Sequence, residues 1–380
     1  MKILMLTSNS SLLDGINRHI LTVAPAINNK DGFEVAVCSV MPPAELQEKL
    51  TAAGVKCYSL GFDNGHKLGI LKAYRQVLDS FKPDIVHVHT MALMERVVNS
   101  IFGRNCRFIQ TVHGISDPIP GKSVKKLLKY YTEVAINKIF NIRYNALCFI
   151  SQGVRDALDK DQSPDTVRQV CYNPINFRRL LQKGLLQSEL NLKKDTPIIG
   201  TACRIADVKA PELFTAVMCQ VLSRVKEAHA VVMGDGDADI INRCKSIVEK
   251  YGVGLRFHWL GYRSNASELV QDLNCFVLTS KREGMPTAVI ECFAAHTPVA
   301  MLQGEGGLKD LEMLNREFGP ILTIADRNNP SELADKIAGI IGSPDNAISI
   351  AGNAFKVGRR HFDIDAVAEQ LCRIYTEITG

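Results

Sequence analysis

Thr279-Ser280-Lys281-Arg282-Glu283-Gly284-Met285-Pro286-Thr287-Ala288-Val289-Ile290-Glu291-Cys292-Phe293-Ala294-Ala295 sets a polar turn in front of a helix. The apolar run Cys275-Phe276-Val277-Leu278 before it reads as a buried strand. The Ser-Lys-Arg-Glu-Gly segment is then a strand-to-helix turn, the place where open α/β sheets hold their ligands. Pro286 is expected at the first helical position, where a missing N–H costs nothing, and Thr287 to Ala295 continues as helix. Such a turn aims free backbone N–H groups above the sheet, and their natural guest is an anion. Glu283 precedes the helix and Glu291 lies about 7 Å further along its axis, at about 1.5 Å per residue from Pro286. The two carboxylates suit two parts of one elongated ligand; an acid/base couple of the glycosidase kind would have to flank a single bond.

A chain of 380 residues exceeds one ordinary core, so two α/β domains are expected. Apolar residues make up 46%, charged residues 22%, and the mean hydropathy is +0.01, the balance of a soluble globular protein. No stretch approaches the length of a membrane span, and Met1 to Asn9 reads as a first strand and turn rather than a signal peptide, so a cytoplasmic protein is expected. The 11 cysteines are odd in number, form no Cys-x-x-Cys pair and lie mostly in apolar runs, as Cys38, Cys148, Cys275 and Cys292 do. They read as reduced, buried side chains, and no zinc site follows from them. Residues 1 to 185 hold 24 Lys and Arg against 15 Asp and Glu, or +9, which leaves −4 of the total +5 for the remainder. The basic half favours an anionic partner; a nucleic-acid partner is not expected.

Candidate strands in the first half are Ile3 to Leu6, Val35 to Ser39, Ile85 to Val88, Phe108 to Val112 and Ala146 to Ile150, separated by helical intervals as in a parallel, doubly wound sheet. Its first turn, Asn9 to Gly15, carries one glycine where a dinucleotide fingerprint needs three, which argues against NAD. His87 and His89 alternate on one strand and point to the same face, but the spacing places no third ligand beside them, so no metal is expected there. Thr111-Val112-His113-Gly114 ends a strand and opens a loop at the ligand edge. Residues 121 to 145 form a basic amphipathic helix, with Val124, Leu127, Leu128 and Tyr131 on one stripe and Lys122, Lys125, Lys126 and Lys129 at its start. Two readings stay open for it, a peripheral contact with an anionic membrane and an ordinary domain helix with a solvated basic face.

The polar, charged stretch Lys183 to Asp195 is the expected linker. After it, Pro197 to Ala202 reads as a new strand, followed by Arg204 and Lys209 before the next helix. Asp235-Gly236-Asp237 lacks the remaining positions of a calcium loop, and no metal is expected of it.

The run Glu283-Gly-Met-Pro-Thr-Ala-Val-Ile-Glu291, with Cys-Phe-Ala-Ala-His-Thr-Pro-Val after it, resembles the donor-site signature of family 4 of the retaining glycosyltransferases. Arg204…Lys209 resembles the segment of that family whose Arg and Lys clamp the donor diphosphate. Val231 to Asp237, Phe257 to Arg263, Gly304 to Asp310 and the Val170 to Asn176 strand end also resemble its pattern. The resemblance implies two Rossmann-like, doubly wound domains facing across a cleft, the B-type glycosyltransferase fold (GT-B). It divides the chain into an acceptor-binding domain, 1–185, a nucleotide-sugar domain, 186–360, and a final helix, 361–380, returning to the first domain. It further implies that Glu283, Gly284, Met285 and Pro286 face the donor sugar, Glu291 the ribose, and Arg204 and Lys209 the diphosphate. His113 would touch the sugar from the first domain, Gly15 would lie near the phosphate, and the backbone of Gly261 and Tyr262 near the base. The implied reaction is metal-independent, retaining transfer of a sugar from a UDP- or GDP-linked donor to a glycan or lipid-linked glycan in surface polysaccharide assembly. A sugar-nucleotide epimerase of the same fold and a catalytically inactive glycan-binding relative are the alternatives.

Overall fold

In the computed structural model, residues 1–12, 15–62, 69–90, 106–114, 144–159, 165–178 and 182–380 are described. The basic amphipathic segment lies outside them except for its last residues, Tyr144 and Asn145. The chain forms two compact units, Met1–Pro174 with Ile364–Gly380, and Ile175–Asp363.

The first unit is built on the strands β1 (Lys2–Thr7), β2 (Glu34–Ser39), β3 (Lys56–Ser59), β4 (Ile85–Val88), β5 (Arg107–Val112), β6 (Ala146–Phe149) and β7 (Val167–Val170). They lie parallel in the order β3-β2-β1-β4-β5-β6-β7. Side-chain alternation splits its core into two layers. Ile3, Met5, Val35, Val37 and Ile85 pack with Ile20, Val23 and Ile27 of helix Gly15–Asn28 and with Val367, Leu371, Ile374 and Tyr375 of helix Ile364–Thr379. Leu4, Leu6, Ala36, Cys38, Val86 and Val88 face Tyr74, Val77, Leu78 and Phe81 of helix Ile70–Phe81. A sheet covered on both faces needs strands that are apolar throughout, and each such side chain contributes about 1.5–3 kcal/mol by leaving water. The edge strands β3 and β7 carry Lys56, Arg168 and Gln169 instead, and their polarity hides them from a pattern search.

The second unit repeats the plan with β8 (Ile198–Ala202), β9 (His229–Met233), β10 (Phe257–Gly261), β11 (Cys275–Leu278), β13 (Val299–Leu302) and β15 (Thr323–Ala325), in the order β10-β9-β8-β11-β13-β15. Two short strands, β12 (Arg282–Glu283) and β14 (Glu305–Gly306), pair in parallel beyond it. The strand order reverses between β1 and β4 in the first unit and between β8 and β11 in the second. Those switch points open a crevice at the carboxyl ends of the strands, the general ligand position of such sheets.

The border between the units falls at Pro174/Ile175, ahead of the expected 185/186. Residues after Pro174 already belong to the second unit's packing: the Asp272 carboxylate accepts hydrogen bonds from the amides of Gly184 (2.6 Å) and Leu186 (2.9 Å), and Phe177 stacks edge-on against Phe355. The return border lies at Asp363/Ile364 instead of 360/361, because helix Pro344–Phe362 runs on through Arg360 and His361. Asp363, with φ −65° and ψ 140°, interrupts the helix before Ile364–Thr379 begins.

Candidate functional site

At the β8/β11 switch point, two turns meet. The turn after β8 carries Arg204, runs through a 3-10 turn, Asp207–Lys209, and enters helix Pro211–Arg224 through Ala210. Ala210 takes the left-handed conformation (φ 49°, ψ 55°), a strain of about 1 kcal/mol or more for a residue with a Cβ, held at a site. The turn after β11 carries Thr279 to Glu283. Thr279 Oγ1 donates toward the carbonyls of Lys209 (3.1 Å) and Ala210 (3.2 Å), and the Lys281 amide donates to the Val208 carbonyl at 2.8 Å, so one side chain and one backbone bond stitch the two turns together.

This stitching brings Lys209 to Glu283. Lys209 Nζ donates to Glu283 Oε1 at 2.6 Å and Oε2 at 2.7 Å, and Ser280 Oγ donates to Oε1 at 2.6 Å. The side chains of the pair are 22% and 11% exposed, so the ion pair is screened less than a surface one and still reaches the crevice. An ammonium has three N–H donors; two are spent on Glu283, and the third remains for an incoming oxygen. Arg204 is exposed and makes no hydrogen bond or ion pair with a described residue. Beside them, burial pushes the Cys203 thiol up to about 11, which keeps it protonated and removes it as a nucleophile at neutral pH.

Pro286 is the N-cap of helix Thr287–Ala294 (φ −76°, ψ 87°), and the helix begins one residue after Pro286, which was expected at its first position. Its carbonyl already accepts from Val289 at 3.0 Å, which starts the helix at Thr287. Met285 and Pro286 are buried, so the segment offers backbone, not side chains, at the helix end. Glu291 lies half-buried further along the same helix. Gly261 has φ +66° and its carbonyl accepts from the Gly234 amide at 2.8 Å, while the adjacent Tyr262 is 54% exposed. The Gly304 to Gly307 loop braces the Glu283 turn directly: in the β12/β14 pair, Arg282 lies opposite Glu305 and Glu283 opposite Gly306.

Arg327, which the local pattern did not single out, ties the same turn down. Its Nε donates to the Gln303 carbonyl (2.6 Å), and its two terminal nitrogens to the carbonyls of Thr279 (3.2 Å each) and Ser280. Ser280 was likewise read only as turn, although its hydroxyl fixes Glu283.

The first unit presents a different constellation at its own carboxyl edge. Gly15 opens helix Gly15–Asn28 and is exposed; a Cβ there would meet nothing within 4 Å, so no steric need for glycine is evident. One turn later His19 Nδ1 lies 3.1 Å from Asn173 Oδ1. His113, just after β5, sits with Nε2 3.0 Å from Nδ1 of His89. His87 is locked between Tyr375 (2.6 Å) and Thr111 (2.7 Å) and stacks on His89 with ring centroids 4.4 Å apart. The sequence left His87 and His89 without a third partner; the fold supplies His19 and His113, and His87 serves the core instead. Burial depresses all four rings, His19 to about 4, His87 to about 3, and His89 and His113 well below the usual value, the last three also through neighbouring imidazoles. All four are therefore neutral at pH 7.

None of the 11 cysteines is paired in a disulfide. Among the described residues no helix is long and apolar enough to cross a membrane.

Comparison with known proteins places this arrangement. Residues 183–357 match the model of the family described as glycosyl transferases group 1, and residues 13–179 that of glycosyltransferase family 4. An uncharacterized glycosyltransferase of Methanocaldococcus jannaschii is 22% identical over 66% of this chain and 62% of its own length. The UDP-Gal:alpha-D-GlcNAc-diphosphoundecaprenol alpha-1,3-galactosyltransferase of Escherichia coli is 24% identical over 59% of this chain and 58% of its own. The chain thus spans about three-fifths of each of these relatives. HepE of Anabaena, solved with UDP and glucose, superimposes with a TM-score of 0.76 over 99% of this chain and 100% of its own at 18% identity, a likeness of fold. Two parallel-sheet α/β units of this kind are the GT-B fold, and with one family model on each half of the sequence the chain belongs to the group 1 glycosyltransferases of the family 4 type.

Proposed function

We propose that the protein transfers a sugar from a UDP- or GDP-linked donor, with retention of anomeric configuration and without a metal ion, to a lipid-linked glycan during surface polysaccharide assembly. The observation that carries this reading is Lys209 held on Glu283 at the β8/β11 switch point, with Ser280 as the third member. A carboxylate that receives sugar hydroxyls repels a diphosphate unless its charge is offset, and Lys209 offsets it while keeping one donor for a phosphate oxygen. Arg204, exposed on the same turn after β8, is the second cation. In the reaction the bond from the anomeric carbon to the phosphate oxygen breaks as the acceptor oxygen bonds to that carbon on the same face. The acceptor proton passes to the leaving phosphate oxygen. Neutralising that developing charge is the task of Lys209 and Arg204, and it makes a separate general acid unnecessary.

The remaining roles follow the family resemblance: Glu283 and the Gly284, Met285 and Pro286 backbone on the sugar, Glu291 on the ribose, Gly261 and Tyr262 at the base. The same resemblance assigns His113 and Gly15 to the donor. The basic first half and the lipid diphosphate named for the Escherichia coli relative support a lipid-linked acceptor at the cytoplasmic face of a membrane.

A thermal-shift screen of nucleotide sugars and NAD in the presence of EDTA tests the donor site. One nucleotide sugar is expected to stabilise the wild type, by about 2.7 kcal/mol at about 100 times Kd, and to do so far less for Glu291→Ala. Stabilisation by NAD alone would overturn the reading. Product NMR then checks the stereochemistry: an anomeric proton of inverted configuration sinks the same-face mechanism, and an epimerised donor appearing without acceptor favours the epimerase alternative.

A further inference from the structure

We propose that His19, His89 and His113 form a binding site for a divalent transition cation, zinc above all, in the first unit. One ring nitrogen from each of the three lies within 4.8 Å of the other two. A cation at the centre of such a triangle sits at most about 2.8 Å from each nitrogen, against the about 2.0–2.1 Å of a zinc–imidazole bond, so each ring needs to move inward by only about 0.7 Å. A rotamer adjustment of that size leaves the backbone in place.

Two further observations point to a ligand. His19 Nε2 and His89 Nε2 are buried and have no hydrogen-bond partner, in rings that are 6% and 4% exposed. Buried polar atoms are nearly always satisfied, and an orphan pair in one cluster calls for an occupant. The tautomer of His19 then fixes what kind. Asn173 Oδ1 is an acceptor, so His19 Nδ1 carries the proton and donates to it across 3.1 Å, leaving a lone pair on Nε2. A metal-bound histidine is held in just this way, its second N–H given to a carbonyl or carboxylate oxygen. His89 is backed by the stacked ring of His87, which Tyr375 and Thr111 hold from both sides. The hydrogen bond between His89 Nδ1 and His113 Nε2 gives way when the cation binds.

Three imidazoles with no carboxylate among them suit zinc, cobalt, nickel or copper and disfavour magnesium and calcium, which take oxygen ligands. Three protein ligands leave the fourth position of a tetrahedron to a water or another small ligand, the open coordination of a three-histidine centre. The proposal does not depend on the transferase reading. Where that reading also holds, a bound cation takes His113 away from the donor sugar, and zinc competes with the donor instead of assisting transfer.

The test is a titration of the tag-free full-length chain with cobalt(II), read by visible absorption. Expected are a saturating band of tetrahedral cobalt at one equivalent, its displacement by one equivalent of zinc, and affinity lowered about 10- to 100-fold by His19→Gln or His89→Gln. The double variant His229→Ala/His258→Ala removes the other close histidine pair, whose nitrogens lie 2.8 Å apart, and should leave the titration unchanged. No saturable band in the wild type, or a band that survives the His19 and His89 substitutions, overturns the proposal. If the glutamine variants fail to fold, X-ray absorption of the zinc-loaded wild type decides: three imidazole ligands are expected, and fewer refute the site.

Discussion

Lys209→Met is expected to lower sugar transfer by on the order of 10²–10³-fold, the usual cost of losing one preorganised donor at a developing anion. The same change leaves the Glu283 carboxylate, whose side chain is 11% exposed, with the Ser280 hydroxyl in place of a cation, so stability should also fall, by about 2 kcal/mol. The two effects have separate causes, and a second substitution separates them. In Lys209→Met/Glu283→Gln the uncompensated charge is gone, and most of the lost melting temperature should return. Transfer should not return, because neither the cation for the diphosphate nor the carboxylate for the sugar is present. Melting curves and initial rates on the two singles and the double complete the cycle. A Lys209→Met enzyme within tenfold of wild type would remove Lys209 from the donor site. A double variant with restored activity would mean that the pair is structural only.

What the sequence made legible follows from how local each feature is. The interior strands of both sheets are short apolar runs between polar turns, and β1, β2, β4, β5, β6, β8 and β11 could be read from that contrast alone. Lys56-Cys57-Tyr58-Ser59 and Val167-Arg168-Gln169-Val170 could not, since an edge strand satisfies half of its backbone outside the sheet and tolerates charge. The Glu283 to Glu291 stretch was legible because its parts lie within one turn and one helix. Arg327 was not, because its partners are the main-chain carbonyls of Thr279, Ser280 and Gln303, and a carbonyl leaves no trace in the side-chain pattern. The histidines show the intermediate case. Spacing placed His87 and His89 on one face, yet only the β1-β4-β5 order could bring His19 and His113 to the same edge. The domain border was misread for a related reason: a polar, charged stretch suggests a linker, but Gly184 and Leu186 spend their amides on Asp272 and anchor that stretch to the second unit.

Gly307→Ala is expected to cost about 100-fold in transfer, although alanine is the better helix former. Gly307 is the first residue of helix Gly307–Glu317, where propensity alone favours alanine by up to about 1 kcal/mol. A Cβ at this position, however, would lie 2.4 Å from the Gly284 carbonyl oxygen and 2.9 Å from Met285 Cα. Both contacts are backbone of the very segment that begins at Glu283, so no flexible side chain can swing away to relieve them. Relief requires the Gly284–Met285 backbone to retreat by nearly 1 Å, and a displacement of that size in a positioned site is worth about 10² in rate. The control is Gly339→Ala in helix Pro330–Gly342, where a Cβ meets nothing within 4 Å. That substitution should raise stability by about 0.5–1 kcal/mol and leave transfer alone. Donor KM is the discriminating readout for Gly307→Ala, since the clash acts on the segment assigned to the sugar and leaves Arg204 and Glu291 untouched. Should Gly307→Ala instead behave like Gly339→Ala, more stable and fully active, the Glu283 turn would have to be compliant, and rigid bracing by the glycine loop could not be the source of its catalytic geometry.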